Sequence, residues 1–173
     1  MDNQVYSIAE INQLSPQDFV RVIGPTFEHS PWISESVVAL RPFCSMADLH
    51  RTLCDCVLRS GEARQLELIR VHPDLVGRAA LQGTLTSEST KEQASAGLGQ
   101  LTAEEIASFQ NFNSTYREKF GFPFVVCARL NKKEAIIAGF QARMDNSIGA
   151  EIKTALLEIF KIAHFRLRDL ISE

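Results

Sequence analysis

Helical spacing of apolar residues is the feature that most limits what this 173-residue chain can fold into. Apolar side chains recur every three or four positions along almost the whole sequence, as they do in helices that bury one face. Residues that begin helices precede several of these segments: Ser15 stands before Pro16, and Thr102 is followed three positions later by Glu105. The sequence therefore predicts a series of successive helices.

One short segment, Phe122–Ala128, interrupts this pattern. Pro123 disfavours a helical conformation at the residue before it, and the β-branched valines favour an extended backbone. No strands alternate with the helices elsewhere, and we find neither an internal repeat nor a linker. We predict an all-α fold with a single domain over residues 1–173, built as a bundle of about eight helices with one extended segment.

Charge and composition exclude several classes of protein. The net charge is −3 and the pI is about 5.8, so the chain lacks the basic surface that binds nucleic acid or anionic membranes. No apolar run approaches the roughly 20 residues that a membrane-spanning helix needs. We therefore expect no nucleic-acid or membrane partner. We also expect a cytoplasmic location, because the closing residues, Ile171 to Glu173, do not match the peroxisomal targeting signal.

The cysteines and histidines give little support for a metal or disulfide site. The four cysteines form no CxxC pair, so we interpret them as reduced thiols. His50 and Cys54 lie four positions apart, as zinc ligands on one helix face do, but no second pair has matching spacing. Phosphate-binding loops and nucleophile elbows are also absent from the sequence. We therefore expect no metal and no organic cofactor.

An arginine occupies the apolar face of the last predicted helix, which runs from about Ser147 to Ile171. At about 100° per residue, the apolar side chains of this helix share one arc of about 160°, and Arg166 falls inside it. Desolvating a guanidinium without a partner costs several kcal/mol, so Arg166 needs an anion. A core carboxylate and the carboxylate of a bound ligand both satisfy this requirement.

His72 stands directly before Pro73, at the predicted end of a helix. Because Pro73 cannot continue the helix, the imidazole lies where the helix dipole favours its protonated form. An ordinary histidine pKa near 6.5 also suits proton transfer at neutral pH. A lone histidine is more often a satisfied structural group than a catalyst, so the position alone leaves both interpretations open.

A cluster of hydroxyl, carboxyl and amide side chains follows His72. Thr86, Ser87 and Ser89 each qualify as the cap of the next helix, and Glu92 and Gln93 lie close behind. A helix N-terminus presents unpaired backbone N–H groups that bind a carboxylate or a carbonyl oxygen. A well-capped helix explains part of the cluster, but its polar groups exceed what one cap needs, so the cluster is a candidate binding surface.

Three motifs in this order resemble those of the OHCU decarboxylase family: HPDL from His72, TSESTKEQASAGL from Thr86 and FGFPFVVCAR from Phe120. OHCU is 2-oxo-4-hydroxy-4-carboxy-5-ureidoimidazoline, an intermediate of purine breakdown. The resemblance extends from the LSPQDFV segment to the closing RLRDL. It implies an all-α homodimer, without metal or organic cofactor, that converts this small-molecule substrate to (S)-allantoin and carbon dioxide.

The resemblance also implies which residues form the active site. The catalytic histidine of the family corresponds to His72, and we assign Glu92 as a second catalytic group that holds the substrate or tunes its protonation. The closing R-L motif implies Arg166 as a substrate-binding residue. The other implied substrate contacts are Pro73, Ser89, Thr90, Lys91, Glu92, Gln93, Phe124, Val125, Val126, Cys127 and Ala128.

Two other kinds of function fit the same residues. A helical interaction module would use His72 and the polar cluster as a groove for a partner protein, and it would tolerate a change such as Glu92→Gln. A hydrolase acting on a related ureide would need an activated water, and therefore a metal or a nucleophile. Metal content and the tolerance of Glu92 to substitution distinguish both from a cofactor-free decarboxylase.

Overall fold

The computed structural model describes residues 5–172, and these residues form ten α-helices, three 3₁₀ turns and one pair of short strands. The helices are α1 (Ile8–Gln13), α2 (Pro16–Ile23), α3 (Trp32–Val37), α4 (Met46–Arg59), α5 (Glu62–Arg70), α6 (Arg78–Leu81), α7 (Ser87–Ser95), α8 (Ala103–Phe120), α9 (Lys133–Arg143) and α10 (Ile148–Leu170). The strands are β1 (Tyr6–Ser7) and β2 (Ile171–Ser172). The prediction of an all-α fold is confirmed.

Two of these helices lie outside the segments that the apolar spacing predicts. Helix α1 has 6 residues and α6 has 4, which is too short for an apolar period to repeat. Local hydrogen bonds define α1 instead, because Ser7 and Glu10 form a reciprocal capping box at its start. The described chain therefore contains more helices than the roughly eight that we predict from spacing.

Contacts between Cα atoms divide the chain into two compact units. Unit 1 comprises the described residues up to Leu68 and those from Phe160 onward, and unit 2 is Ile69–Ile159. The boundaries fall within α5 and α10 rather than in a linker. The single domain that the sequence predicts stays a prediction.

The helix starts of unit 1 follow their capping residues, with one exception. Ser15 accepts a hydrogen bond from the Asp18 N–H at 3.1 Å and caps α2, and Ser45 caps α4 in the same way. A second Ser-Pro pair, Ser30-Pro31, stands before α3, but this helix begins at Trp32 and has no side-chain cap. Ser30 belongs to the preceding turn, where its N–H donates to the Phe27 carbonyl at 3.3 Å.

The strands of unit 1 lie far apart in sequence and pair in parallel. Tyr6 lies opposite Ile171, and Ser7 lies opposite Ser172. The core of this unit is aliphatic and aromatic, since side chains of α1 to α4 such as Ile11, Phe19 and Leu49 are fully buried. Burial of these faces is the main source of stability for helices of this length.

An aromatic core lies in unit 2. The Phe124 ring stacks on Phe140 with centroids 3.8 Å apart, and Tyr116 meets Phe124 edge-on at 5.3 Å. The chain from Pro123 to Cys127 is neither helix nor strand, and a 3₁₀ turn begins at Ala128. The predicted extended segment is present, although it ends one residue earlier than we predict.

The last helix, α10, buries the face that its apolar spacing predicts. Ala155, Ile159 and Leu167 are buried along that face, whereas Lys161 and Arg168 are exposed. Arg166 is buried among them, at 6% exposure. Among the described residues, no helix combines the length and apolarity that crossing a membrane requires.

Candidate active site

The loop that carries His72 begins where α5 ends, at Arg70. The His72 N–H donates to the Ile69 carbonyl at 3.2 Å, which closes a final turn before Pro73 prevents further helix. His72 is buried, with 6% of its surface exposed, and Pro73 is half-buried. The predicted placement of the imidazole just beyond a helix end is therefore found in the structure.

Gln93 of α7 fixes the backbone of this loop. Its Oε1 accepts a hydrogen bond from the Val76 N–H at 3.0 Å, and its Nε2 donates to the Asp74 carbonyl at 3.4 Å. Val76 has a φ of 54°, a left-handed conformation that costs a β-branched residue about 1–3 kcal/mol. Gln93 thus holds a strained loop in place, a role that the sequence does not reveal.

Helix α8 provides two further anchors for the same loop. Asn113 Nδ2 donates to the Leu75 carbonyl at 2.8 Å, and Arg117 Nε donates to the Asp74 carboxylate at 2.9 and 3.1 Å. Asn113 is itself buried, and its Oδ1 has no hydrogen-bond partner among the described residues. A buried acceptor without a partner is rare in proteins and suggests that a ligand or water binds there.

Gly77 ends the loop in a position that tolerates no side chain. A Cβ atom at Gly77 would lie 2.6 Å from the Cβ of Asp74, well inside van der Waals contact. The absence of a side chain at Gly77 therefore allows the backbone to approach Asp74 closely, and this keeps the loop from His72 to Gly77 compact.

The polar cluster forms the start and the buried face of α7. Thr86 is the cap, since its hydroxyl accepts from the Ser89 N–H at 3.2 Å. Ser89, Glu92 and Gln93 are buried at three-residue and four-residue spacing, whereas Thr90 and Lys91 are exposed. The structure therefore brings three of the five predicted residues of this segment onto one buried face.

Arg129 is a residue that our sequence reasoning missed. It lies in the 3₁₀ turn Ala128–Leu130, which packs against α7, and its Nε is 4.0 Å from Glu92 Oε1. The signal was available, because Arg129 directly follows the predicted substrate-binding segment. The turn therefore places a guanidinium beside Glu92, on the buried face of α7.

The extended segment is anchored mainly through its backbone. The Val125 carbonyl accepts from Arg143 Nη1 at 2.7 Å, and the Cys127 N–H donates to Glu158 Oε2 at 2.8 Å. The peptide groups of Val126, between these anchors, make no hydrogen bond to the rest of the described chain. Val126 is also the half-buried member of the Phe124–Ala128 segment, whose other residues are buried. Its backbone is the part of the segment best suited to a ligand.

The side chains of Phe124 and Cys127 provide no charged or nucleophilic group to the site. Phe124 is 1% exposed and belongs to the aromatic core, so its ring is occupied by protein contacts. Burial raises the pKa of the Cys127 thiol, which keeps the thiol protonated at neutral pH. Cys127 therefore does not have the thiolate character of a nucleophile.

A buried carboxylate supports the extended segment from α10. Glu151 is fully buried, and its Oε2 accepts from Arg143 Nε at 2.9 Å and from the Tyr116 hydroxyl. Asn146 Nδ2 donates to its Oε1 at 2.7 Å. Burial alone raises the pKa of Glu151, but the hydrogen bonds from Arg143, Asn146 and Tyr116 together outweigh burial and lower it.

Arg166 lies in unit 1 and has a carboxylate partner in that unit. Its Nη1 is 2.9 Å from Glu28 Oε2 and donates to the Pro25 carbonyl at 3.2 Å. Glu28 is buried, at 3% exposure. Of the two anions that the sequence left open for Arg166, the structure provides the core carboxylate.

No group of three or more histidine, cysteine or acidic side chains that could hold a metal occurs within residues 5–172. His50, one half of the zinc pair that the sequence offered, engages the Phe160 carbonyl through Nε2 at 2.8 Å. Burial raises the pKa of the Cys54 thiol to about 12. A thiol with that pKa is a poor zinc ligand at neutral pH.

The fold and this site define an all-α protein with a buried polar site on anchored loops. Residues 12–168 match the sequence profile described as OHCU decarboxylase, and the chain belongs to that family. The 2-oxo-4-hydroxy-4-carboxy-5-ureidoimidazoline decarboxylase of Haloferax volcanii is 39% identical over 166 residues, which cover 96% of this chain and 96% of that protein. The family that the three motifs predict is therefore confirmed.

Two longer proteins contain a region similar to this chain. The uric acid degradation bifunctional protein PucL of Bacillus subtilis is 38% identical over 169 residues, or 98% of this chain, which spans 33% of that protein. A crystal structure of (S)-allantoin synthase superposes with a TM-score of 0.76 and 24% identity, covering 96% of this chain and 54% of that one. At 24% identity, the similarity to (S)-allantoin synthase shows a shared fold.

Proposed function

We propose that this protein decarboxylates 2-oxo-4-hydroxy-4-carboxy-5-ureidoimidazoline to (S)-allantoin and carbon dioxide, without a metal or an organic cofactor. Membership of the OHCU decarboxylase family is the observation that carries the proposal. The buried polar residues of unit 2 support it. His72, Ser89 and Glu92 are each at most 6% exposed, and burying such groups is costly unless they make hydrogen bonds.

The substrate supplies the electron sink for the reaction. When its carboxylate leaves as carbon dioxide, the electron pair of the broken C–C bond moves into the adjacent C=N of the ring. The ring nitrogen that receives the C=N electron pair takes up one proton, and the resulting enol takes up a second proton at carbon. The hydroxyl loses its proton to become a carbonyl, so one proton is taken up in total. Because no electrons leave the substrate, the protein needs to supply proton transfer and orientation rather than a cofactor.

His72 is the proposed acid and base of this reaction. It accepts the hydroxyl proton of the substrate and delivers a proton to one face of the intermediate, which makes the product a single enantiomer. Positioned acid–base groups typically contribute about 10²- to 10⁴-fold to a rate. The anchors from Gln93, Asn113 and Arg117 keep the loop of His72 in one conformation, as such catalysis requires.

The other residues of the site have proposed roles that follow from their positions. Glu92 holds the substrate or tunes its protonation, and Arg129 Nε lies 4.0 Å from its Oε1. The peptide groups of Val126 suit the flat amide edges of the ring, and Asn113 Oδ1 offers an acceptor for an N–H. Pro73, Ser89 and Gln93 are further proposed contacts of the substrate in unit 2. Arg166 lies in unit 1 and pairs with Glu28, so its contact with the substrate stays a prediction of the R-L motif alone.

Assembly and location are also proposals. We propose a homodimer that acts in the cytoplasm and that binds neither nucleic acid nor a membrane, which agrees with the net charge of −3. Light scattering coupled to gel filtration measures the mass of the assembly. A single monomeric species of the 19.3 kDa chain contradicts the dimer.

Circular dichroism of the allantoin formed from enzymatically oxidised and ring-opened urate tests the proposed reaction. We expect the protein to accelerate formation of one enantiomer, and His72→Ala to lose about 10²- to 10⁴-fold of that acceleration while keeping its helical spectrum. Glu104→Gln, a change at an exposed position of α8, is the control. Racemic allantoin at the spontaneous rate contradicts the proposal and favours the interaction module.

A further inference from the structure

Unit 1 contains a cavity of about 600 Å³ whose lining includes no residue of the candidate active site. Its volume lies within the range of pockets that bind small molecules, about 300–1,000 Å³. Helices α3, α4 and α5 and the turn after α3 form its walls. The lining residues are Trp32, Ser36, Val37, Leu40, Arg51, Thr52, Asp55, Cys56, Arg59, Ser60 and Arg64.

Positive charge dominates this cavity, although the chain as a whole is acidic. Three arginines and one aspartate line it. Arg51 and Arg59 lie two turns apart on the same face of α4, and Arg64 follows on α5. Arg51 forms an ion pair with Asp48, whereas Arg59 and Arg64 have no carboxylate partner within the described chain. Two guanidinium groups are therefore available to an anion from outside.

A flat aromatic surface adjoins these charges. The guanidinium of Arg64 lies over the ring of Trp32, with its central carbon 5.1 Å from the ring centroid. Leu40, at 60% exposure, adds an apolar surface to the same cavity. An inorganic anion alone would use the arginines and leave the aromatic and apolar surfaces without a role.

The hydroxyl groups of the lining favour a ligand that donates hydrogen bonds. Ser36, Thr52 and Ser60 each donate their hydroxyl hydrogen to a carbonyl of their own helix, at 2.7 to 2.8 Å. Their oxygens retain lone pairs that accept from a ligand N–H or O–H. The cavity therefore offers cations, a flat surface and hydrogen-bond acceptors together.

We propose that this cavity binds a small phosphorylated molecule with a planar heterocycle, of the class of a nucleoside monophosphate. Arg59 and Arg64 bind the phosphate, because a guanidinium fork matches the geometry of phosphate oxygens. The heterocycle lies against Leu40 and the edge of Trp32, whose ring Arg64 covers, and the hydroxyl oxygens accept its N–H groups. This site is independent of the proposed decarboxylation.

Trp32 makes the proposal directly testable, because it is the one tryptophan of the chain and lines the cavity. Titration of the wild-type protein with AMP is expected to change the tryptophan fluorescence with a saturable dependence. Adenosine and ribose 5-phosphate, which carry the ring and the phosphate separately, are each expected to bind at least about tenfold more weakly. Equal binding of AMP and adenosine, or no saturable change with AMP, overturns the proposal.

Variants assign the binding to the arginines. Arg59→Gln and Arg64→Gln, measured by calorimetry, are expected to weaken AMP binding by about 10- to 100-fold, since each loses a charge-assisted hydrogen bond. Arg21→Gln removes an exposed arginine of α2 that pairs with Asp18, and it is expected to leave AMP binding unchanged. Both cavity variants replace exposed side chains, and circular dichroism verifies that they fold. Unchanged AMP affinity in both variants contradicts the site.

Discussion

Two buried glutamates of unit 2 differ in how their charge is held. Glu151 is fully buried, and its Oε2 lies 2.8 Å from Arg143 Nη2 and accepts from Arg143 Nε at 2.9 Å. Glu92 is 6% exposed, and Arg129 Nε lies 4.0 Å from its Oε1. Both residues are helical and both face an arginine, so residue type does not distinguish them.

The difference separates a carboxylate that supports the fold from one suited to chemistry. Short hydrogen bonds from Arg143, Asn146 and Tyr116 fix Glu151 in its ionised form. Glu92 instead has its arginine contact at 4.0 Å and lies on the buried face of α7 with Ser89 and Gln93, two other residues of the predicted site. We expect substitution of the first glutamate or its arginine to affect stability, and substitution of the second to affect the reaction.

Glu92→Gln is expected to have the largest effect on activity. The amide keeps the shape of the side chain but removes its charge and proton affinity, so the rate of (S)-allantoin formation should fall by about 10²- to 10⁴-fold. The midpoint of urea unfolding should change little. A variant that keeps its activity but unfolds at lower urea would show that Glu92 is a structural residue like Glu151.

Arg143→Met is expected to have the largest effect on stability. It leaves the buried charge of Glu151 without its arginine, which typically costs about 3–5 kcal/mol of unfolding free energy. Urea unfolding measures this loss. The double variant Arg143→Met, Glu151→Gln removes the stranded charge and should recover part of the stability. If the single and double variants are equally unstable, the ion pair is not the cause.

Gly77→Ala tests whether the compact loop is needed to position His72. The added methyl would lie 2.6 Å from the Asp74 Cβ, so the loop must shift, at a cost of about 1–3 kcal/mol. We expect activity to fall more than stability predicts, because catalysis is sensitive to displacements of about 1 Å. Gly99→Ala, whose new methyl would meet no atom within 4 Å, is the matched control.

The smallest expected effect is on the pH dependence of stability, and it tests whether Glu151 stabilises the fold as a carboxylate. The pKa of Glu151 is held below 4.5, the value of an unperturbed glutamate. Its contribution to stability is therefore complete above the unfolded pKa and declines as pH falls through the folded pKa. Urea unfolding between about pH 3 and pH 6 should show a shallower acid loss in Glu151→Gln than in the wild type. Parallel curves would contradict the assigned pKa shift.

Residues whose position depends on helical period could be predicted from the sequence. The burial of Arg166 follows from its place on α10, because 3.6 residues per turn puts it among apolar side chains. Its partner Glu28 could not be predicted, since Glu28 lies in a turn where no period applies and is distant in sequence. Ser30 precedes Pro31 as Ser15 precedes Pro16, but it does not cap α3, because its backbone belongs to the preceding turn.

The candidate site likewise contains residues that the sequence predicts and contacts that it does not. The sequence motifs identify His72 and the polar face of α7, but they do not reveal that Gln93 and Asn113 bind the backbone of the His72 loop. Those bonds join residues up to 38 positions apart, and they depend on packing rather than on local pattern. Long-range contacts of single side chains are therefore what the structure adds to the sequence.

The parallel pairing of β1 with β2 has a consequence for how this fold can be connected. Tyr6 and Ile171 are neighbours, so the backbone between them forms a nearly closed ring. Parallel strands rise by about 3.3 Å per residue, so a linker joining the end of β2 to the start of β1 needs to return over only one short strand. The ring could then be opened at an exposed position such as Gly99. Such a circular permutant would keep every helix while changing the order in which a ribosome makes them.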